Sequence, residues 1–391
     1  MEILALKKNL KKNITAYDYY LVIALICGLS FFGITVIGSV TNVHINPNSA
    51  LQAMQQLTFV TGLFLFFIFS TIDYKFIGRF YWVIYFLNIA LLLSVIFFGE
   101  TQERANVTRQ LAFGGFSVQP SQFSKIFMVL FLSKFIDKHK DSLNKIPTLI
   151  ILGVLIALPV YLVYSQPSLS ASLVVVFVSF TIIFVAGLHG KYIFAAVATL
   201  LPAGLFFAYD ITRGTGNHIL VHRFLQPFQI FRIYEMLSTE YIHMQNVRAL
   251  QALGSGGLTG KGLYMGTVNN LNALAEAHND MIFAVIGEEF GFIGSNIVLG
   301  LLFILILKCI FVAFRAETLL GKYIATGVGA MIFFQTFIHV GVVTNILPNT
   351  GIALPFISYG GSSMWALMIS MGIVMNINKN YKPRSIFEEG D

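Results

Sequence analysis

The chain has 391 residues, of which 56% are hydrophobic and only 11% charged, with 38 Phe, 16 Tyr and a formal net charge of +7. A soluble domain carries about 25% charged residues, so this composition excludes a water-soluble enzyme, a nucleic-acid-binding domain and a disordered protein. It describes an all-α polytopic membrane protein.

A spanning helix needs about 20 mostly apolar residues, and the lipid core tolerates no open loop. Ten segments qualify: 19–40, 55–72, 80–98, 119–136, 147–164, 169–188, 191–209, 281–314, 322–346 and 354–377. The first follows a tail over 1–18 that holds Lys7, Lys8, Lys11 and Lys12. With no small-residue cleavage pattern behind it, this span is expected to stay as an anchor. The fourth is the least apolar, because Gln119, Gln122 and Lys125 sit in its opening turns. The eighth is long enough to tilt or to project past the bilayer. Between spans seven and eight lies a large loop, 210–279, where Phe224, Phe228, Phe231 and Tyr234 recur at helical spacing and predict short helices at the membrane surface. A second tail covers 378–391, and the whole chain, 1–391, reads as one membrane domain.

Orientation follows from the basic residues. Seventeen of the 25 Lys and Arg fall in segments on the side of the N-terminus, and five of the other eight sit in the one long loop. The positive-inside rule then places both termini in the cytoplasm and the 210–279 loop outside. Basic residues that punctuate apolar runs suit an anionic leaflet, not nucleic acid. Cys27 and Cys309, within or beside apolar runs, read as small buried hydrophobes.

Three polar clusters fall on the outer side. The first, ERANVTRQLAFGGFSVQPSQFSK over 103–125, breaks the chain at Gly114, Gly115 and Pro120 just before the fourth span. It leaves Lys125 inside the membrane, where a cation is costly and either serves a function or snorkels to the headgroups. Arg109 and Lys125 together suit an anionic head group. The second joins GSGGLTGKG to EAHNDMIFAVIGEEFGFIG. Its glycines do not form a nucleotide loop: Ser255 stands where the phosphate loop needs its first Gly, Gly262 follows Lys261, and no G-x-G-x-x-G is completed. Asp280 opens the eighth span, either as a helix cap or as a general base at the water boundary. Glu288 and Glu289 lie deeper, one of them expected to face the bundle and pair with a cation. Gly287 and Gly291 have the spacing of close helix packing. The third, NILPNTGIALPFISYGGSS, carries Pro348, Gly351, Pro355, Gly360 and Gly361 and cannot be a regular helix. Irregular backbone at that depth lines a protein-covered or watery site. His278 and His339 read as structural. These features alone fit a lipid-linked glycosyltransferase, a transporter or a lipid flippase.

The strings FGGFSVQPSQFSK, ALGSGGLTGKG, EAHNDMIFAVIGEEFGFIG and LPNTGIALPFISYGGSS, in that order, resemble the shape, elongation, division and sporulation family of bacteria, to which RodA and FtsW belong. The resemblance implies a ten-span peptidoglycan glycosyltransferase of the bacterial cytoplasmic membrane. It implies lipid II as substrate and a class B penicillin-binding protein as partner. Alternatives for the family are a lipid II flippase and a non-catalytic scaffold. The family's essential aspartate maps onto Asp280 as general base. Arg109 and Lys125, with Gln119, Ser358, Gly360 and Gly361, map onto substrate-binding positions, and Gln122, Glu288 and Glu289 onto supporting ones. Departures from the family pattern are Gln110 for Trp, Gln122 for Glu, Ser168 for Asp, Asn279 for Thr and Ala353 for Pro. The resemblance implies no certain cofactor; the two lost carboxylates bear on a possible divalent cation.

Overall fold

The computed structural model describes residues 2–41, 49–102, 107–113, 116–166, 168–212, 230, 244–267, 274 and 276–380. Among them are twelve α-helices: α1 (Glu2–Thr41), α2 (Ser49–Thr71), α3 (Tyr74–Arg79), α4 (Tyr81–Phe98), α5 (Pro120–Lys138), α6 (Ile146–Ser165), α7 (Leu169–Val185), α8 (Gly190–Thr212), α9 (Met244–Ser255), α10 (Ile282–Arg315), α11 (Leu319–Val343) and α12 (Gly361–Lys379). A long helix stands at each of the ten expected spans. Six helices among the described residues are long and apolar enough to cross a membrane: the apolar part of α1, then α2, α4, α6, α10 and α11.

Several boundaries differ from expectation. The segment expected as a tail, 1–18, is helical from Glu2 onward and forms the opening turns of α1. At the tenth expected span, α12 begins at Gly361, not at 354, because Pro355 and the positive φ of 63° at Phe356 hold 354–360 in turns. Of the 210–279 loop, α8 extends to Thr212 and α9 with the turns to 267 is described; Phe224, Phe228, Phe231 and Tyr234 lie outside the described residues, as do Gly114, Gly115 and the tail from 381 onward.

Residues between α4 and α5 form a small antiparallel sheet, β1 (Glu100–Gln102), β2 (Val107–Phe113) and β3 (Phe116–Val118), with β2 in the middle. Glu100 pairs with Gln110, and Leu111 with Val118. In a strand, residues two apart share a face, so Arg109 lies on the face of Leu111, which is buried.

The fourth span explains its own polarity. Lys125 is 2% exposed, and Ser121, Ser124 and Ser133 of the same helix are buried. α5 is an inner helix packed against α4, α7, α11 and α12, so protein rather than lipid surrounds its polar groups. α12 is buried along nearly its whole length in the same way.

The opposite end of the bundle gathers the basic residues. Asp18 accepts from Lys308 Nζ at 2.6 Å and Arg315 at 3.2 Å, Lys75 meets Glu317 at 3.2 Å, and Asn376 donates to the Ser70 carbonyl at 3.0 Å. The starting turn of the apolar part of α1 and the end of α12 therefore share one end of the molecule.

The loop after α9 is joined to the bundle through backbone hydrogen bonds. α10 breaks at Gly291, whose φ of 67° and ψ of −163° are open only to glycine. A broken helix leaves amides and carbonyls without partners, a cost of several kcal/mol in an apolar surrounding. Here the 256–262 turn supplies them. Lys261 N and Gly262 N donate to the Glu288 and Glu289 carbonyls at 3.0 and 2.9 Å, and Phe292 N and Ile293 N donate to the Gly257 and Leu258 carbonyls at 2.9 and 3.0 Å. Approach this close needs bare backbone on both partners. A Cβ on Gly256, Gly260 or Gly291 would collide with the facing backbone, and one on Gly287 would meet the Leu253 side chain of α9.

Side chains lock the same junction. Glu288, fully buried, accepts from Lys261 Nζ at 2.6 Å and from the Thr267 amide and hydroxyl at 2.8 and 2.9 Å. Glu289 is also buried and accepts from Ser39 Oγ of α1 at 2.5 Å. The expectation that only one of the pair faces the interior is corrected: protein covers both faces of this turn, the 261–267 segment on one and α1 on the other.

Two predictions follow from the junction. Gly291→Ala should lower detergent-phase stability by about 1–3 kcal/mol, the cost of forcing that backbone on a side chain. Gly300→Ala, on the same helix with nothing near its Cβ, should be neutral or stabilising by up to about 1 kcal/mol. Thermal unfolding of the two variants checks both, and equal midpoints would contradict the account of the break. Glu288→Gln should cost more than Glu289→Gln, because it strands a partly buried ammonium; a larger loss of folded yield in Glu289→Gln would reverse the assignment.

Candidate active site

The third polar cluster is the hub of the end of the bundle opposite the Asp18–Lys308 pair. The strip from Asn345 to Gly360 links α11 to α12 with Asn345, Gly351, Phe356 and Gly360 at positive φ. Its backbone groups are satisfied by side chains from three helices. Ser170 Oγ of α7 donates to the Thr350 carbonyl at 2.9 Å. Gln55 of α2 accepts from the Gly360 amide at 3.1 Å and donates to the Ser358 carbonyl at 3.3 Å. His339 Nδ1 of α11 lies 2.6 Å from the Ile352 carbonyl. Sequence reasoning left Ser170 and Gln55 out of the site. Their signal was available as polar residues within or beside apolar runs, which need buried partners.

Asp280 hangs on this strip. Ser358 Oγ donates to the Asn279 carbonyl at 2.8 Å while accepting from the Leu354 amide at 2.8 Å. Tyr359 N donates to the His278 carbonyl at 2.9 Å. The turn that carries Asp280 is thus pinned through the two carbonyls before it by Ser358 and Tyr359, while the Gly360 amide is taken up by Gln55. Gly351 lies directly beneath the carboxylate: a Cβ there would stand 2.8 Å from Asp280 Oδ2, at a φ of 65°. That φ favours glycine, and any side chain there would displace the carboxylate.

Asp280 does not occupy the N-cap position of the helix it precedes. α10 begins at Ile282 with Met281 at the N-cap, and the Met281 side chain makes no capping bond. Asp280 sits one residue earlier, its amide bonded to the Glu276 carbonyl at 3.0 Å, and it is partly exposed. Beside it, burial lowers the His278 imidazole pKa, opposed by Glu276 at 3.5 Å.

The basic group on α5 is reached through the same strip. Pro120 opens α5 at a position that needs no amide donor, and Gln119 N donates to Ser362 Oγ in the first turn of α12 at 2.9 Å. Gln119, Gln122 and Lys125 follow at three-residue steps along one face. Gln122 Nε2 donates to Gln119 Oε1 at 3.4 Å, and Lys125 Nζ donates to Gln122 Oε1 at 2.5 Å. The snorkelling reading of Lys125 is thereby excluded, since the ammonium stays inside the protein. Gln122, in place of the family's carboxylate, still orients Lys125 but leaves its charge uncompensated by that neighbour. Arg109 is half-buried on β2, which packs against α4 and α5. Gly361 begins α12 beside Thr58. Glu288 and Glu289 belong to the loop junction on α10. Among the described residues no group of three or more His, Cys, Asp or Glu is placed to hold a metal ion.

Comparison with known proteins is consistent across sequence and fold. The FtsW/RodA/SpoVE model, described as a cell cycle protein, matches residues 17–383. A probable peptidoglycan glycosyltransferase FtsW of Trichlorobacter lovleyi is 30% identical over 95% of this chain and 96% of its own. The peptidoglycan glycosyltransferase MrdB of Escherichia coli K12 is 35% identical over 76% of this chain and 78% of its own. Among solved structures, a chain of a peptidoglycan synthase complex superposes with a TM-score of 0.74 at 23% identity, covering 92% of this chain and 96% of that one. The rod-shape-determining protein RodA of Thermus thermophilus does so with a TM-score of 0.65 at 22% identity, covering 93% and 97%. The chain belongs to the FtsW/RodA/SpoVE family of polytopic membrane proteins.

Proposed function

We propose that this chain is a peptidoglycan glycosyltransferase that polymerises lipid II into glycan strands at the outer face of the bacterial cytoplasmic membrane, with both termini inside. Its glycosyltransferase character has the support of relatives named for that activity at 30% and 35% identity. The observation that carries the mechanism is the placement of Asp280: a partly exposed carboxylate, one residue ahead of the helix N-cap, in a turn pinned by Ser358 and Tyr359.

In this reading Asp280 accepts the proton of the acceptor sugar's 4-hydroxyl as that oxygen attacks the donor's anomeric carbon. One glycosidic C–O bond forms, the anomeric C–O bond to the diphosphate breaks, and the lipid diphosphate leaves with the electron pair. Negative charge grows on the leaving group, and fixed cations aimed at it lower the barrier. Arg109 and Lys125 have that role, Lys125 oriented through Gln122. A rigid strip positions the base before substrate arrives, so little reorganisation is needed at the moment of reaction. A class B penicillin-binding protein is the proposed partner, in keeping with the synthase complex to which the chain is structurally similar.

Asparagine preserves the size of Asp280 and removes its basicity. Asp280→Asn should fold, bind lipid II and its partner, and lose at least ~10²-fold in polymer formed from purified lipid II. Wild-type polymer yield from that variant would remove Asp280 from the chemistry. Arg109→Ala and Lys125→Ala should each weaken lipid II binding by about 1.5–3 kcal/mol, the worth of a charge-assisted bond; unchanged affinity in both would overturn the diphosphate role.

A further inference from the structure

His339 of α11 is fully buried, and neither a metal nor a catalytic triad accounts for it. A carbonyl oxygen only accepts, so the 2.6 Å contact with Ile352 requires Nδ1 to carry the proton. In the neutral ring Nε2 is then a bare acceptor. It is buried, and no donor of the protein reaches it among the described residues. Burying an imidazole with one nitrogen unmatched is costly, where a leucine would fill the space at no such cost. One bond stands against that cost: the one to Ile352.

That bond falls at a sensitive place. Ile352 follows Gly351, whose Cβ position lies 2.8 Å from Asp280 Oδ2. The 350–352 turn is gripped from α7 by Ser170 Oγ, at 2.9 Å from the Thr350 carbonyl and 3.3 Å from that of Gly351. From α11 it is gripped by His339. Three consecutive carbonyls are thereby held from two helices, and rotating a peptide plane among them would break at least one of these bonds. A shift of about 1 Å in a base is enough to cost ~10²-fold in rate.

We propose that His339 is a positioning residue: its Nδ1–H holds the 350–352 turn beneath the Asp280 carboxylate and so aims the base at its substrate. The proposal rests on the reading of Asp280 as general base.

Two amide substitutions separate a peg from a filler. In His339→Asn the side-chain amide nitrogen reaches the place of Nδ1 and keeps the donor. In His339→Gln it reaches the place of Nε2, keeping bulk and polarity but losing the donor to Ile352. With purified lipid II and the partner present, His339→Gln should lower kcat about ten- to hundredfold with KM changed less than about twofold, and His339→Asn should recover most of that loss. Hydrogen exchange of peptides covering 349–358 should quicken in His339→Gln and stay near wild type in His339→Asn. Equal kcat and equal exchange in the two variants would overturn the proposal, as would a loss confined to KM. Exchange needs no turnover. If wild type forms no polymer, the glycosyltransferase reading fails by itself, and unchanged exchange in His339→Gln would still refute the holding role.

Discussion

A backbone broken inside a membrane must find its hydrogen bonds in protein, and the break of α10 at Gly291 is where this chain meets that demand most completely. Four main-chain bonds between the 256–262 turn and residues 288–293 replace those the helix loses. The exchange is possible because Gly256, Gly260 and Gly291 leave the two surfaces bare where their backbones meet. Lys261 and Glu288 add an ion pair whose acid end is fully buried. The loop that follows α9 is therefore fastened into the bundle, and the 276–281 turn that leads back into α10 starts from a fixed base. Without this repair Asp280 would stand on a frayed helix end.

From that anchor the site is built by a second irregular segment. The 345–360 strip cannot be helical, yet its polar groups find partners on α2, α7 and α11 and in the 276–280 turn. Rigidity here comes from many single bonds of roughly 1 kcal/mol each, distributed over helices far apart in sequence. The same strip leads through Ser362 to Gln119 and so to Lys125. A carboxylate reaching water and a buried ammonium are thus held by one framework. The proposed chemistry needs that pairing: a base for the incoming hydroxyl and a cation for the departing diphosphate.

Much of this was legible in the amino-acid order because lipid imposes a coarse rule. Apolar runs of the right length marked where each long helix would lie, and paired glycines at 287 and 291 marked a close approach. Gly and Pro in NILPNTGIALPFISYGGSS marked a strip that could not be helical. What remained hidden depended on three-dimensional partners. Lys261 and Glu288 are 27 positions apart, and nothing local says that they meet. Both glutamates proved buried because two different segments cover one helical turn. Asp280 had the chemistry of a cap, but the helix starts two residues later at Ile282. The alternation of β2 in VTRQLAF is a strand signal, masked by its place between apolar spans. Lys125 carried the same ambiguity, since snorkelling and burial leave identical traces in sequence.

The measurement closest to the central claim uses proteoliposomes in which the chain and its partner are oriented one way and lipid II is confined to one leaflet. Lipid II placed in the leaflet on the Asp280 side should be converted to glycan strands, with no transfer to the other leaflet required. Lipid II that crosses the bilayer without forming glycosidic bonds, or polymer formed only from the leaflet at the Asp18–Lys308 end, would contradict the account.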